Sequence, residues 1–164
     1  MEDTKSLTKQ ALEFHQQGKF EDAEKLYQKV LTISPNDAGV LNLLGLLKYQ
    51  NKDYDTAIKL IRKAVEISPN AYFHDNLGRI YSDCGKISDS VEAFKSALKL
   101  EPENFEIWFN LAHSFKQNKQ YKNAVKAYRI ALKYNPESFE IYFNLGGIFE
   151  LLDKTETAID CYKR

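Results

Sequence analysis

Cysteine is scarce in this chain of 164 residues: Cys84 and Cys161 are the only two, too few for a disulfide scaffold. Seven glycines and four prolines exclude a collagenous or linker-like polymer. Net charge is missing too. Lys plus Arg and Asp plus Glu both number 23, so the sum is +0. That argues against a general polyanion binder, which needs excess cation to displace counterions. The longest apolar run, Val40 to Leu47 with Asn42 and Gly45 inside it, falls far short of the roughly 20 residues a bilayer span needs. The opening Met1-Glu2-Asp3-Thr4-Lys5-Ser6 has neither a basic n-region nor an apolar block, so no signal peptide is read there. A free-thiol, cytoplasmic protein is expected.

What the chain does have is enough apolar matter for a core: 43% of residues are hydrophobic and 13% aromatic. The four prolines are Pro35, Pro69, Pro102 and Pro136, at intervals of 34, 33 and 34 residues. Proline removes a backbone donor and pushes the preceding residue out of helical geometry. Four stops at one interval are four helix ends at one interval. Asn36, Asn70, Asn104 and Ser138 follow, of types that cap the next helix.

Between the stops, apolar residues recur at steps of three and four. Trp108, Leu111, Ala112 and Phe115 form one run. After the polar break Lys116-Gln117-Asn118-Lys119-Gln120, a second follows with Tyr121, Ala124, Tyr128 and Ala131. Each unit is thus a pair of helices, and no stretch alternates with period two. The class is all-α.

The fourth unit, Trp108-x₂-Leu111-Ala112-x₂-Phe115 with Ala124-x₃-Tyr128, Ala131 and Pro136, resembles the tetratricopeptide repeat. So do the fifth (Tyr142, Leu145, Gly146, Phe149, Ala158, Tyr162), the third (His74, Leu77, Gly78, Tyr81, Ser90, Phe94) and the second (Leu41, Leu44, Gly45, Ala57, Ile61, Ala64). In the second unit Lys48 stands where the pattern has an aromatic. The first, with Leu7, Ala11, Phe14, Ala23, Tyr27 and Val30, matches least. The resemblance implies a right-handed superhelical α-solenoid of about five helical hairpins, the last incomplete. It would form a single array over 1–164, with repeats at about 4–37, 38–70, 71–104, 105–138 and 139–164.

Small residues recur where two helix backbones would meet: Ala11, Gly45, Gly78, Ala112 and Gly146 on first helices. Glycine inside a helix costs roughly 1 kcal/mol against alanine, so its recurrence implies close packing. The glycines therefore read as helix-packing residues. The link Pro69-Asn70-Ala71 is one residue shorter than Pro35-Asn36-Asp37-Ala38, from which a tightened turn is expected. The chain stops at Arg164, inside the second helix of the fifth hairpin, which suggests a piece of a longer protein.

Catalytic chemistry is not expected. His15, His74 and His113 fall in three units without metal-ligand spacing. His74 takes a packing slot, and both thiols read as buried and structural. No glycine-rich phosphate loop occurs. No catalytic residue, metal or cofactor is assigned.

Stacked hairpins bind on the inner surface lined by first helices. Candidate peptide-binding residues there are Asn42, Tyr49, Tyr72, Asn76, Arg79, Phe109, Asn110, His113, Phe143 and Asn144. Asn76, Asn110 and Asn144 share one slot, and an amide can pair with both groups of an extended peptide unit. Hydrogen bonding between helices, or inheritance through duplication, would also place asparagines in register. The row resembles the asparagine ladder in the tetratricopeptide arm of O-linked N-acetylglucosamine transferases, which implies a grip on polypeptide backbone. The carboxylate clamp of co-chaperone domains does not fit, because its cationic slots hold Asp75 and Glu140 in one register and Thr8 and Leu43 in another.

The expected function is a non-catalytic protein-protein interaction module that takes an extended peptide or partner helix in its concave groove. Alternatives are a substrate-recognition arm of a larger enzyme such as a glycosyltransferase, or a scaffold that self-associates. Self-association would use the uncapped C-terminal end, where Phe149, Leu151, Leu152 and Tyr162 are expected to lie partly bare. The expected partner is a protein or peptide, with neither nucleic acid nor membrane. Asp75, Asp83, Glu106 and Glu140 along the groove weigh against RNA.

Overall fold

The computed structural model describes residues 3–164. Among them are ten α-helices and no strand: α1 (Thr4–Gln16), α2 (Phe20–Ile33), α3 (Ala38–Gln50), α4 (Tyr54–Ile67), α5 (Ala71–Asp83), α6 (Ile87–Leu100), α7 (Phe105–Gln117), α8 (Tyr121–Tyr134), α9 (Phe139–Leu151) and α10 (Thr155–Tyr162). The class is all-α, a helical-hairpin repeat fold. The odd-numbered helices begin at residues 4, 38, 71, 105 and 139, steps of 34, 33, 34 and 34. No described helix is long and apolar enough to cross a membrane.

The chain forms two compact units, one ending at Ile80 and one running from Tyr81 to Arg164, with the division inside α5. In the first unit, Leu7 and Ala11 of α1, Tyr27 and Val30 of α2, and Leu44 and Leu47 of α3 close one core. In the second, Ala112, Tyr128, Ala131, Ile141, Leu145 and Ile148 do the same for α7, α8 and α9.

The turn inside each hairpin repeats to the atom. Gly18, Lys52, Gly85, Lys119 and Asp153 all have positive φ, between 56° and 78°. The next N–H in each case donates back to a carbonyl five residues earlier, as from Lys19 to Phe14 and from Gln120 to Phe115, at 2.9 and 2.8 Å. This left-handed cap satisfies carbonyls that a helix end leaves bare. Gly18 and Gly85 are therefore turn residues; the expectation that the glycines serve helix packing holds for Gly45 and Gly146 but not for these two. With φ fixed above zero, a residue without Cβ is the unstrained choice.

Between hairpins the capping expectation needs one correction. Asp37, not Asn36, caps α3, its Oδ1 accepting from the N–H of Val40 at 3.0 Å. Asn36 lies in the turn that follows Ser34, one residue too early to reach the helix N-terminus. Asn70 accepts from Phe73 at 2.9 Å, and Asn104 from Glu106 and Ile107. Ser138 sits at the cap of α9 without a side-chain hydrogen bond. The short link is not a tightened turn either. The four-residue links close a turn, as where Asp37 N–H reaches Ser34 O at 3.1 Å. Ser68-Pro69-Asn70 has no turn, and its chain runs open into α5, because removing one residue removes the turn's closing donor.

Lys48 explains itself. Its ammonium meets Glu24 Oε1 at 2.6 Å, both half-buried, between α3 and α2. Glu24 stands where the other second helices carry Ile58, Val91, Val125 and Ile159. The two departures from the apolar pattern are complementary: one without the other would leave a desolvated charge unpaired.

Candidate functional site

First helices place a groove in the first unit. Leu12 of α1, Leu46 of α3 and Arg79 of α5 share one repeat slot, and with Leu43, Tyr49 and Tyr72 they line a cavity of about 550 Å³. The leucines are half-buried, while Tyr72 and Arg79 are exposed. An apolar floor thus lies beneath a rim that carries a guanidinium and a phenol.

One wall is fixed by His15. Its Nε2 lies 3.0 Å from Gln50 Oε1, and its Nδ1 lies 3.3 Å from the Tyr27 hydroxyl. An amide oxygen only accepts, so the ring donates from Nε2 and accepts the Tyr27 proton on Nδ1. Phe20 and Tyr27 meet the ring edge-on, at centroid distances of 5.8 and 6.0 Å. Tyr27 is buried, and loss of water pushes its phenol up to about 12.

The asparagines are not equivalent. Asn42 and Asn76 are buried, and Asn76 Nδ2 donates to Asn42 Oδ1 at 2.9 Å, tying α5 to α3. Asn76 also borders the groove. In the second unit, Asn144 Oδ1 accepts from Lys116 Nζ at 2.9 Å, and its Nδ2 donates to Glu140 O. Asn110 is half-buried. The shared slot therefore carries an inter-helix bond at Asn76 and a lysine contact at Asn144. Tyr49, Tyr72, Asn76 and Arg79 come together in the one groove. Phe109 packs edge-on to Tyr128 at 5.7 Å, His113 is exposed, and Phe143 is 67% exposed beside Tyr162.

Sequence reasoning missed Leu12 and His15 as parts of this wall. Leu12 shares its repeat slot with the candidate Arg79, but the His15–Gln50 bond joins residues 35 apart and leaves no local signal.

Both thiols are half-buried rather than buried. Each lies at or near the end of a helix hairpin arm, where cover is incomplete; burial and the neighbouring Asp160 push the Cys161 thiol up. His74 is half-buried, and desolvation lowers its pKa. Phe149, expected partly bare, is buried in the second core, whereas Leu151, Leu152 and Tyr162 are exposed. Phe149 points inward because it shares the slot of Phe14 and Phe115. Among the described residues, no group of three His, Cys, Asp or Glu is arranged to hold a metal.

A tetratricopeptide repeat model matches residues 14–80, and a TPR repeat model matches 78–119 and 112–153. The chain belongs to the tetratricopeptide repeat family. No curated protein matches its sequence. Among solved structures, a crystal structure of MamA is 21% identical, covers 93% of this chain and 90% of that one, and has a TM-score of 0.87. MamA 41-end from Desulfovibrio magneticus RS-1 is 16% identical, with coverages of 99% and 93% and a TM-score of 0.91. YrrB, a TPR protein with an unusual peptide-binding site, is 16% identical, with coverages of 97% and 82% and a TM-score of 0.81. At these identities the likeness is one of fold. In the first unit of this TPR chain, the first helices α1, α3 and α5 line the groove.

Proposed function

We propose that this TPR chain is a non-catalytic protein-interaction module, and that it takes an extended peptide or a partner helix in the groove of α1, α3 and α5. The observation that carries this reading is the groove itself: Leu12, Leu43 and Leu46 offer an apolar floor, and Tyr72 and Arg79 stand exposed at its edge. Aromatic and arginine side chains around a desolvated pocket are the usual centre of an interface. YrrB, with its peptide-binding site, supports the reading at the level of fold. Asn76, held by Asn42, shapes the wall, and Asn110, Asn144, Phe109, His113 and Phe143 would extend the surface if the five repeats act as one array over 1–164.

Peptides selected from a displayed random library test this. Leu46→Lys and Arg79→Glu should each weaken the selected peptides about tenfold or more. Lys25→Glu, on the exposed face of α2, should leave them unchanged. Selected peptides indifferent to both groove variants would remove the groove from the account.

A further inference from the structure

The chain is neutral as a whole, but its charge is not evenly spread. Between Glu106 and Glu137 it carries six basic residues, Lys116, Lys119, Lys122, Lys126, Arg129 and Lys133, and no acid. Four of these lie on α8 at steps of four, three and four, which puts them on one stripe of the helix. All four are exposed. The other second helices of full length mix signs: α2 has Glu21, Asp22 and Glu24, α4 has Asp55 and Glu66, and α6 has Asp89 and Glu92.

Beside this stripe, within the second unit, lies a separate cavity of about 500 Å³ between α6 and α8. Trp108, Phe115, Val91, Ala127 and Ile130 give it an apolar lining; Lys126 borders it from α8, and Lys95, paired with Glu92 at 2.7 Å, borders it from α6. The reason for the opening is legible in the repeat. Ala127, like Ala93 of α6, occupies the slot where α2 has Leu26 and α4 has Leu60, both of which pack on the first unit's core. Alanine there leaves the space that leucine fills. Trp108 Nε1 donates to Pro102 O at 2.7 Å, which holds the indole at the site.

We propose that this face of the second helices is a distinct docking site for an acidic protein segment. One aromatic or aliphatic side chain of that segment enters the cavity against Trp108 and Ile130, and flanking carboxylates pair with Lys126 and the Lys122–Lys133 stripe. Charge complementarity selects the occupant. A membrane surface would need apolar groups that project, and here they are recessed. A nucleic acid backbone would meet Glu92 on the α6 rim, where a peptide with few carboxylates need not reach. The site stands on different helices from the α1–α3–α5 groove and does not depend on that reading.

Trp108 is the only tryptophan, so its emission reports occupancy directly. Random peptides are selected on the whole chain, and the enriched sequences are synthesised and titrated while Trp108 fluorescence is followed. The expected result is a class with Asp or Glu around an aromatic or aliphatic residue that shifts Trp108 emission and weakens with added salt. Lys122→Glu with Lys126→Glu should reduce its affinity about tenfold or more. Ala127→Leu, which restores the residue of α2 and α4 and leaves charge untouched, should block the Trp108 response; circular dichroism of each variant shows that it is folded. Peptides of the leading groove would respond to Leu46→Lys instead, so the two sites fail separately. The proposal is overturned if no acidic class is enriched, or if the acidic class binds without moving Trp108 and tolerates both variants. It is equally overturned if phosphatidylserine vesicles or polyuridylate shift Trp108 while the acidic peptides do not.

Discussion

The side-chain amides of Asn42 and Asn76 meet in a 2.9 Å hydrogen bond that is buried between α3 and α5. They stand 34 residues apart, one more than the 33 between the starts of α3 and α5, and so occupy neighbouring slots rather than the same one. A buried amide left alone is costly, by roughly 1–3 kcal/mol, while removing both partners of a pair is far cheaper. Asn76→Ala and Asn42→Ala are each expected to destabilise the chain by about that amount in urea unfolding, and Asn42→Leu with Asn76→Leu to cost less than the sum. Additive losses would show that the bond contributes nothing. Asn76→Ala is therefore a stability variant as well as a surface one, and a triple alanine change at Asn76, Asn110 and Asn144 would not isolate binding.

Five turns share one left-handed residue, but glycine fills only two of them. Lys52, Lys119 and Asp153 hold φ of 62°, 56° and 56°. An L-residue there costs roughly 1–2 kcal/mol, partly offset by the extra freedom glycine loses on folding. Lys119→Gly is expected to raise stability by up to about 1 kcal/mol, and Gly85→Ala to lower it by about 1 kcal/mol. A melting temperature lowered by the first and raised by the second would contradict the assignment.

Tyr27 and Tyr128 occupy the same slot in α2 and α8, and both are buried. The Tyr27 hydroxyl meets His15, whereas the Tyr128 hydroxyl has no hydrogen-bond partner among the described residues. The cause is the next-to-last residue of the preceding helix, His15 in one case and Lys116 in the other, which turns instead to Asn144. Tyr128→Phe should leave stability unchanged or raise it by about 1 kcal/mol, while Tyr27→Phe should lower it by a similar amount. Burial raises both phenol pKa values. A raised pKa stabilises the fold below the unfolded value and loses that contribution as pH climbs to the folded one. The Tyr27 contribution should therefore fade between the ordinary phenol value of 10.0 and about 12, read as a rise in phenolate absorbance that coincides with loss of helicity. Phenolate absorbance that rises fully while helicity is intact would contradict it.

Gly45 and Gly146 share a helix slot but differ in what backs them. A Cβ at Gly45 would lie 2.5 Å from Ile61 Cγ1, in a side chain with no exposed surface. At Gly146 it would meet the Tyr162 ring, which is 42% exposed and has room to swing outward. Gly45→Ala should cost about 1–3 kcal/mol and Gly146→Ala clearly less; thermal melts of the two decide the order, and the reverse order would contradict the packing described.

The repeat was legible because proline spacing and helical periodicity are local, and the first helices begin where those signals put them. The turn geometry was less so. Gly18 and Gly85 signal a left-handed slot by composition, but Lys52, Lys119 and Asp153 hide it, and only alignment of the five turns reveals it. The site was half legible. A three-and-four stripe gives Tyr49, Tyr72, Asn76 and Arg79, which do share a groove. It cannot tell that Asn76 turns to Asn42, because a one-slot offset between neighbouring helices is a matter of how they rotate against each other. Of the Lys48–Glu24 pair, only Lys48 stood out in the sequence, as a departure from the aromatic slot.

Hydrogen exchange of the chain with and without a selected peptide tests the central claim most directly. The account predicts new protection in α1, α3 and α5 around Leu12, Leu46 and Tyr72, removed by Leu46→Lys. Protection confined to α2 and α4, with none on those first helices, would contradict it.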